Sequence, residues 1–581
     1  MAEYLSPGVY VDEFDSGGRP IEGVGTGTAG FIGLAEKGPV LGVPQLVTNF
    51  SEFRRTYGGY LSENEVGEYR FLAYAVEHFF INGGARCFIS RVAPSDAGQA
   101  QGVMPQKDAA VVRFGAKDPG LWGNHVTISA TPSCKARTQV LEVIDGGSGK
   151  KYRVKNGTGF LPGDVVVFTV KNETAAEYNR VVANEDNLII FETEFAADVT
   201  DTNLLPGKTL STCEMNLEVK YEDLSESYDF ISFNESAPNF LNKVIAKSNL
   251  ITAEYIGTQG ETPMAPFDEF TAAGTVTPML VLDGGSNGSV DKITAADFIG
   301  TDHGTGKRTG IQSFVDNDVV SIMAVPGITD PNAALALVAH CEKLASRFAI
   351  LDIPREAKTV PDIIAYRDIF ESSYAALYHP WLEVFDPLDQ KNVMIPPSGS
   401  MAGIFARSDH NRGVHKAPAN EVVKACVGLD CQFGKGEQDI LNPQGVNLIR
   451  AFPGQGIRVW GARTATSDSS WKYVNVRRLF IFIEESIKAS TSWVVLEPND
   501  EVTWVRVQRT ISMFLTGLWR NGSLAGSSPE EAFFVDIGRS TMSRDDIDNG
   551  RLIGVIGVAP VKPAEFMIFR ITQKTGDSAE S

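Results

Sequence analysis

The sequence contains no apolar run as long as the roughly 20 residues that a membrane-spanning helix needs. Apolar strings such as 319–325 and 479–483 have only the length of buried strands or helix segments. The first residues, Met1, Ala2, Glu3 and Tyr4, lack the basic and apolar regions of a secretory signal peptide. We therefore expect no membrane partner and a chain that is made and assembled in the cytoplasm.

Cysteine is also scarce, with six thiols in 581 residues. They form no C-x-x-C pair, and no histidine follows Cys426 and Cys431 at the spacing of a zinc finger. These spacings argue against a structural zinc site. We expect buried free thiols, no metal and no cofactor.

Basic residues are fewer than acidic ones: the chain has 52 Lys and Arg and 72 Asp and Glu, which gives a net charge of -20. Such a chain is a poor ligand for nucleic acid or an anionic membrane. The deficit is uneven, since residues 456–575 carry 15 basic and 13 acidic side chains and a net charge of +2. This asymmetry suits a C-terminal domain that faces an acidic partner.

The remaining composition indicates a folded protein of several domains. Apolar residues make up 43% of the chain and charged residues 21%, and 56 glycines indicate many turns. A chain of 581 residues is too long for one core, so we expect two to four domains.

Two stretches alternate between strand and helix patterns. Residues 30–34 and 85–92 read as strands and 51–57 and 71–81 as helices. Later, apolar strands at 279–282, 319–325 and 348–353 are separated by helical windows near 307–315 and 331–346, the second with Leu335, Val338, Cys341 and Ala345 on one face. Continuous apolar strands with intervening helices indicate a parallel sheet covered on both faces. We expect residues 23–100 and 275–450 to form one discontinuous α/β domain.

Residues 101–274 have a different pattern. Turn pairs such as Asn156-Gly157 and Gly163-Asp164 punctuate short alternating runs. Hairpin turns at this spacing predict an inserted all-β domain, either a barrel or a sandwich. We expect this insertion to lie on the outer surface.

Residues 451–560 predict a C-terminal α+β domain with helices near 471–490 and 502–520. At 100° per residue the second helix gathers apolar side chains on one side: Trp504, Val507, Ile511, Phe514, Leu515 and Leu518. Arg506, Arg509 and Arg520 fall on the opposite side. This basic face is either a solvated surface or a contact with an acidic partner.

Both ends of the chain carry strand patterns without a neighbouring hairpin partner. One runs over 9–14 (Val9, Tyr10, Val11, Asp12, Glu13, Phe14) and the other over 566–571 (Phe566, Met567, Ile568, Phe569, Arg570, Ile571). Unpaired strand edges are normally blunted. The ends therefore either close onto the chain's own sheet or pair with other copies by strand addition.

Several motifs, in order, resemble the contractile tail sheath family of myophage tails, R-type pyocins and related injection systems. They are "EYLSPGVYVDEFDSG" (3–17), "GVHKAPAN" (413–420), "GIRVWGART" (456–464), "LEPNDEVTWVRVQRTISMFLTGLWRNGSLAG" (496–526) and "DIDNGRLIGVIGVAPVKPAEFMIFRI" (546–571). Residues 101–274 match nothing in that pattern.

The resemblance implies a structural subunit, not an enzyme. Such subunits polymerise helically around an inner tube and contract to drive the tube through a target envelope. It implies a subtilisin-like fold for the central domain. It also implies arms, here 1–22 and 561–581, that join a neighbour's C-terminal sheet. The motif residues Trp460, Gly461, Arg463 and Thr464 would be structural.

The resemblance further implies the partners: other copies of the chain, an inner tube protein, and baseplate and terminal cap proteins. Lys488, Arg506, Arg509 and Arg520 are the residues we expect to face the tube. Assembly would take place in the bacterial cytoplasm, and the product would be a phage tail or a phage-tail-like particle.

Two other classes of function stay open at this point. Asp283, His303 and Ser400 occur in the order of a subtilisin-type triad, although the intervals of 20 and 97 residues are short for that fold. A serine hydrolase is thus one alternative. A shell or surface-layer protein that does not contract is the other.

Overall fold

A computed structural model describes residues 21–105, 110–144, 150–170, 176–195, 208–256 and 279–565. The predicted terminal strands at 9–14 and 566–571 lie outside these residues. Over the described chain no helix is long and apolar enough to cross a membrane.

The N-terminal part contributes three strands and three helices: β1 (Ala29–Leu34), α1 (Phe50–Tyr57), α2 (Glu63–Val66), α3 (Leu72–Ile81), β2 (Gln45–Val47) and β3 (Cys87–Val92). Helix α1 begins where the Asn49 side chain accepts a hydrogen bond of 2.8 Å from the Glu52 N–H. The strands and helices predicted between 30 and 92 are confirmed, with ends displaced by one or two residues.

Between 101 and 281, the elements of the described residues are almost all β-strands, as predicted. Its strands are β4 (Gln101–Pro105), β5 (Ala110–Ala116), β6 (Thr127–Ser133), β7 (Arg137–Val143), β8 (Lys151–Val154), β9 (Val165–Val170), β10 (Ala176–Glu185), β11 (Leu188–Phe191), β12 (Lys208–Thr212), β13 (Glu214–Tyr221), β14 (Leu224–Ile231), β15 (Ile251–Tyr255) and β16 (Met279–Val281), with helix α4 (Leu241–Ile245). Six of them close into a barrel in the order β10-β11-β8-β7-β12-β9. The aromatic side chains of Tyr152, Phe168, Phe191 and Phe195 fill its interior. The other strands of this stretch form two open sheets, β14-β13-β6-β16 and β15-β5-β4, so the barrel is one part of the β-structure.

One strand was placed in the wrong sheet. Residues 279–282 were predicted to belong to the parallel sheet, but β16 pairs antiparallel with β6, with Leu280 opposite Ile128. Met279 and Val281 are exposed while Leu282 is buried. A short apolar run on an edge strand cannot be told from a central parallel strand by periodicity alone.

The central part supplies β17 (Ile322–Ala324), β18 (Phe348–Asp352), β19 (Ala375–His379), β20 (Leu382–Asp386), β21 (Lys391–Ile395), β22 (Gly428–Leu429), β23 (Val446–Phe452) and β24 (Gly456–Val459). Its helices are α5 (Ala295–Ile299), α6 (Pro331–Leu344), α7 (Val360–Arg367), α8 (Ser398–Arg412) and α9 (Lys435–Leu441). An eight-stranded sheet runs in the order β2-β3-β1-β17-β18-β19-β23-β24. Its six inner strands are parallel, and only the two edge strands are antiparallel. Strands from 29–92 and from 322–459 thus share one sheet.

Apolar side chains cover this sheet on both faces. On one face Phe31 and Ile350 pack with residues of α3 and α8. On the other face Met323 and Leu351 pack with residues of α6. The predicted inward position of Leu335 in α6 is wrong, because its side chain is 41% exposed. The window near 307–315 forms only a short 3-10 helix, Gly310–Phe314.

The C-terminal part consists of α10 (Val474–Ser490), α11 (Glu501–Arg520), α12 (Pro529–Ala532), β25 (Phe533–Ile537), α13 (Arg544–Asp548) and β26 (Gly554–Val558). Strands β25 and β26 form a two-stranded antiparallel sheet, which we call the hairpin sheet. The predicted apolar side of α11 packs against α10 and the hairpin sheet, with Trp504 and Leu515 buried and Phe514 partly buried. We call this group of packed side chains the C-terminal cluster.

The thiols are less uniformly buried than predicted. Cys87 and Cys341 are buried, but Cys134 is exposed, and Cys213, Cys426 and Cys431 are partly exposed. Within the described residues no group of histidine, cysteine and acidic side chains could hold a metal ion.

Candidate functional site

The exposed face of α11 carries the three arginines that the sequence placed there. Arg506, Arg509 and Arg520 are all exposed. Among the described residues, no carboxylate forms an ion pair with any of them, since the ion pairs of α11 involve only Glu501. The Arg506 guanidinium lies 5.5 Å from the centre of the Trp493 ring, which orients it.

This face is not purely basic, contrary to the prediction. Val502 is 67% exposed, and Val505 and Met513 are each 62% exposed. At 100° per residue these three side chains interleave with the arginines. Nearby, in the loop between α10 and α11, Leu496 is 99% exposed. The face therefore offers apolar surface together with positive charge.

Lys488, the fourth residue predicted to face the tube, lies near the end of α10 and is exposed. Its ammonium group pairs with the Glu485 carboxylate of the same helix at 3.3 Å. Nothing in the geometry joins it to the arginines of α11.

The first described residues contact the C-terminal part. Ile21 packs against the C-terminal cluster. The Val24 N–H donates to the Ser486 hydroxyl at 3.1 Å, and the Arg478 guanidinium donates to the Thr26 carbonyl at 2.9 Å. The first described residues therefore lie against the helices of the C-terminal part.

The other end of the described chain is also anchored near that part. Glu565 accepts two hydrogen bonds from the Arg463 guanidinium, at 2.8 and 2.6 Å. Asn442 donates to it at 2.8 Å and the Tyr473 hydroxyl at 3.2 Å. Although burial opposes the effect, these donors lower the pKa of Glu565 and so favour its charged form. The last described residue is thus held by four hydrogen bonds.

A buried ion pair joins α8 to α10. The Arg478 guanidinium donates to both oxygens of Asp409, at 2.9 and 2.6 Å, and the two side chains are only 3% and 6% exposed. The Thr26 hydroxyl also donates to Asp409, at 2.6 Å. The Arg478 guanidinium lies over the Phe405 ring at 4.7 Å. Sequence reasoning missed this pair, because residues 69 positions apart carry no pairing signal.

The other motif residues hold the turn after β24. The Trp460 ring packs against the Phe452 ring at an angle of 51°, with ring centres 4.5 Å apart. A Cβ at Gly461 would lie 2.8 Å from the Asn447 side-chain oxygen, so only glycine fits there. The Thr464 hydroxyl donates to the Trp471 carbonyl at 2.8 Å. These contacts are structural in kind.

The triad-like residues do not form an accessible site. Asp283 and His303 are exposed, whereas Ser400 is fully buried within α8. A different pair was missed, in which Asp352 accepts from the Ser398 hydroxyl at 2.7 Å and from the Ser398 N–H at 2.8 Å. Burial raises the pKa of Asp352 to about 6. This carboxylate caps the first turn of α8, a structural task.

Comparisons with known proteins agree with the architecture. Residues 293–465 match the family model of the phage tail sheath protein central domain, and residues 466–574 match that of the phage tail sheath C-terminal domain.

Individual relatives give the same result. A tail sheath protein of Salmonella phage ViI is 23% identical over 343 residues, which cover 49% of this chain and 53% of that protein. A tail sheath protein of Escherichia phage P2 is 27% identical over 234 residues, or 38% of this chain and 58% of that protein. The matches thus span little more than half the length of these two curated relatives.

A solved structure supports the fold over the whole length. The sheath complex of an extracellular contractile injection system, PVC, in its contracted state is 21% identical, covers 99% of both chains and has a TM-score of 0.51. On these family matches, the chain belongs to the contractile tail sheath family and is a structural sheath subunit.

Proposed function

We propose that copies of this chain polymerise into a helical sheath around an inner tube, and that the sheath contracts to drive the tube through a target envelope. The observation that carries the proposal is the hairpin sheet. A two-stranded sheet is marginal alone. The described chain begins with Ile21 against the C-terminal cluster, which includes this sheet, and ends with Glu565 on the Arg463 guanidinium, seven residues after β26. Terminal strands of neighbouring copies would complete the sheet and link the subunits.

The arms of this linkage are segments 9–14 and 566–571, within the predicted arms 1–22 and 561–581. Strand addition joins different surfaces of neighbouring copies. When such contacts do not close into a ring, they give an open helix. If two packings of such a lattice differ in free energy by a few kcal/mol per subunit, the lattice can switch from one packing to the other. The linked strands would keep neighbours tethered while the subunits slide.

The exposed face of α11 is the proposed contact with the inner tube. Arg506, Arg509 and Arg520 are free of ion pairs within the described residues, in a chain that is otherwise acidic. The partner would present acidic groups beside apolar surface. Exposed ion pairs are individually weak and sensitive to salt, which suits a contact that has to break on contraction. Lys488 would contribute at the edge.

The remaining organisation follows the family. The mostly parallel eight-stranded sheet, with helices on both faces, supports the expected subtilisin-like central domain formed by 23–100 and 275–450. The insertion at 101–274 would decorate the outside. Baseplate and terminal cap proteins would bound the sheath, and assembly would take place in the bacterial cytoplasm.

Deletion of residues 1–18 tests the linkage. The truncated chain should fold, because it keeps Ile21 and its contact with the C-terminal cluster, but it should not form filaments. Circular dichroism and the thermal midpoint verify the fold, and negative-stain microscopy detects filaments. Long filaments from a folded truncated chain would contradict the proposed role of the arm.

Charge reversal tests the tube contact. The double variant Arg506→Glu, Arg509→Glu should yield empty or contracted sheaths when produced together with its tube protein. The matched control reverses two exposed arginines of the insertion, Arg113→Glu and Arg153→Glu, and should give extended particles of normal appearance. Extended, tube-filled particles from the first variant would refute the contact.

A further inference from the structure

The barrel of the insertion is joined to the rest of the chain by two short connections. Residues 134–136 lead from β6 into β7, and residue 213 leads from β12 into β13. Strands β6 and β13 are neighbours in an open sheet, and β7 and β12 are neighbours in the barrel. Both connections therefore pass side by side from the open sheet to the barrel.

The strand register places a cysteine of one connection opposite a cysteine of the other. In the pairing of β6 with β13, Ser133 lies opposite Glu214. One residue further along each strand, towards the barrel, the same register brings Cys134 opposite Cys213. The fold thus brings together two thiols that are far apart in sequence.

The backbone hydrogen bonds around these cysteines continue the antiparallel pattern. The Cys213 N–H donates to the Val165 carbonyl of β9 at 2.9 Å, away from Cys134. The preceding residue, Thr212, donates its N–H to the Ala136 carbonyl at 2.9 Å. Because bonded and non-bonded pairs alternate along an antiparallel ladder, Cys134 and Cys213 form a non-hydrogen-bonded pair, whose Cα atoms lie about 4.5 Å apart.

The two side chains lie on the same face of their strands. Successive residues of a strand alternate between faces, so Cys213 shares its face with Met215 and Leu217, and Cys134 shares its face with Pro132. Met215 lies opposite Pro132 and is buried in the apolar core that the two open sheets share. Cys134 is exposed and Cys213 is partly exposed. The pair therefore lies at the rim of this core, where solvent reaches it.

This geometry permits a disulfide without movement of the backbone. A disulfide joins residues whose Cα atoms lie roughly 4.4–6.8 Å apart, and the ladder places this pair at the short end of that range. In this structure each thiol donates to a carbonyl of its own strand, Cys134 to Ala136 at 3.1 Å and Cys213 to Ser211 at 4.0 Å. A change of χ1 rotamer is enough to turn the two sulfur atoms towards each other.

We propose that Cys134 and Cys213 are a redox site, which a low-molecular-weight disulfide oxidises to a disulfide that clamps the two connections of the barrel. The exposed Cys134 thiolate attacks one sulfur of the small disulfide, which forms a mixed disulfide and releases one small thiolate. The Cys213 thiolate then attacks the Cys134 sulfur and releases the second. The two protons lost by the cysteines are taken up by the released thiolates, and an excess of small thiol reverses the exchange.

The clamp acts on the whole barrel. The new bond closes a loop from residue 134 to residue 213, about 80 residues that include all six barrel strands. A crosslink around so long a loop removes many conformations of the unfolded chain and so stabilises what it encloses. The attachment of the barrel to the open sheet is then fixed in oxidising surroundings and released in reducing ones. This property is independent of the proposed contacts with the tube and with other copies.

Disulfide mapping tests the pairing. The folded chain is equilibrated with oxidised glutathione, the remaining thiols are blocked, and tryptic peptides are analysed without reduction. We expect peptide 118–135, which contains Cys134, to be linked to peptide 209–220, which contains Cys213. Reduced glutathione in excess should separate them. Glutathione attached to Cys134 without this crosslink, or a disulfide between two chains, would overturn the proposal.

Two controls distinguish the strand geometry from general thiol reactivity. Cys426→Ser removes a partly exposed thiol elsewhere in the chain and should leave the crosslink unchanged. The same oxidation is repeated in urea. A crosslink that forms in the unfolded chain and not in the folded one would show that the folded register keeps the two sulfur atoms apart, and the assignment would be wrong.

Hydrogen exchange tests the clamp. In the oxidised chain the buried amides of β9 and β12 should exchange at least about tenfold more slowly than in the reduced chain, because the closed loop makes opening of the barrel rarer. Cys134→Ser, treated with the same oxidant, should exchange at the rate of the reduced chain. If the crosslinked barrel exchanges as fast as the reduced one, the disulfide does not clamp it.

Discussion

The buried pair of Asp409 and Arg478 should stabilise the junction between the central sheet and the C-terminal helices. Within the described residues, Asp409→Leu leaves a guanidinium that is 97% buried with only the Thr26 carbonyl as an acceptor. Arg478→Met leaves a carboxylate with only the Thr26 hydroxyl as a donor. Each change therefore leaves a buried charge without its counter-charge.

Removal of one partner from a buried ion pair costs about 3–5 kcal/mol, most of it the cost of the charge left behind. Both partners in this pair are almost fully buried and the bond is bidentate, so we expect each single variant to lose stability in this range. The double variant Asp409→Leu, Arg478→Met leaves no charge behind. It should be less destabilised than the sum of the single variants, which a double-mutant cycle measures.

Urea denaturation followed by tryptophan fluorescence suits this measurement, since five of the seven tryptophans lie between 460 and 519. The control is the exposed pair of Arg539 and Glu501, at 3.1 Å, whose removal should cost less than roughly 1 kcal/mol. If the Asp409 and Arg478 variants are no less stable than the control variants, burial does not strengthen this pair and the reasoning is wrong.

Three further predictions concern single side chains. Because the pKa of Asp352 is raised to about 6, the stabilisation that this carboxyl gives is complete below the pKa of the unfolded chain and is lost as the pH rises through about 6. Between pH 4 and pH 7 the thermal midpoint of Asp352→Asn should therefore rise relative to that of the unmodified chain. A difference between the two midpoints that stays constant with pH would refute this. Leu515→Ala should cost about 2–5 kcal/mol in urea denaturation because the side chain is fully buried, whereas Met513→Ala on the exposed side of the same helix should cost almost nothing. Fluorophosphonate should label neither the unmodified chain nor Ser400→Ala, because the Ser400 hydroxyl is inaccessible, and labelling that disappears in the variant would reopen the hydrolase alternative.

Periodicity was informative wherever one face of an element decides its packing. The apolar stripe of α11 and the strands at β1, β3, β17 and β18 follow directly from residue spacing. Turn pairs at short intervals were sufficient to predict β-structure in the insertion. They could not give the strand order of the barrel, since that order depends on contacts between strands distant in sequence.

The failures have a common physical origin. Met279 and Leu335 are apolar, yet tertiary context leaves both exposed, the first on an edge strand and the second on the outer side of α6. We did not predict the exposed apolar side chains of α11, Val502, Val505 and Met513. A helix with one clear apolar stripe suggests that the rest of its surface is polar. The anchors at Asp409, Asp352 and Glu565 depend on partners far along the chain, which no local pattern specifies.

The position of β1 in the central sheet affects the order in which the protein can fold during synthesis. This strand lies between β3 and β17 in the sheet. Strand β17 leaves the ribosome only after the insertion that precedes it has been translated. The barrel, whose strands all lie between 137 and 212, can close while the N-terminal strands still wait for that neighbour. A barrel without edges is a safe structure to complete first, because it offers nascent chains on neighbouring ribosomes no strand to capture.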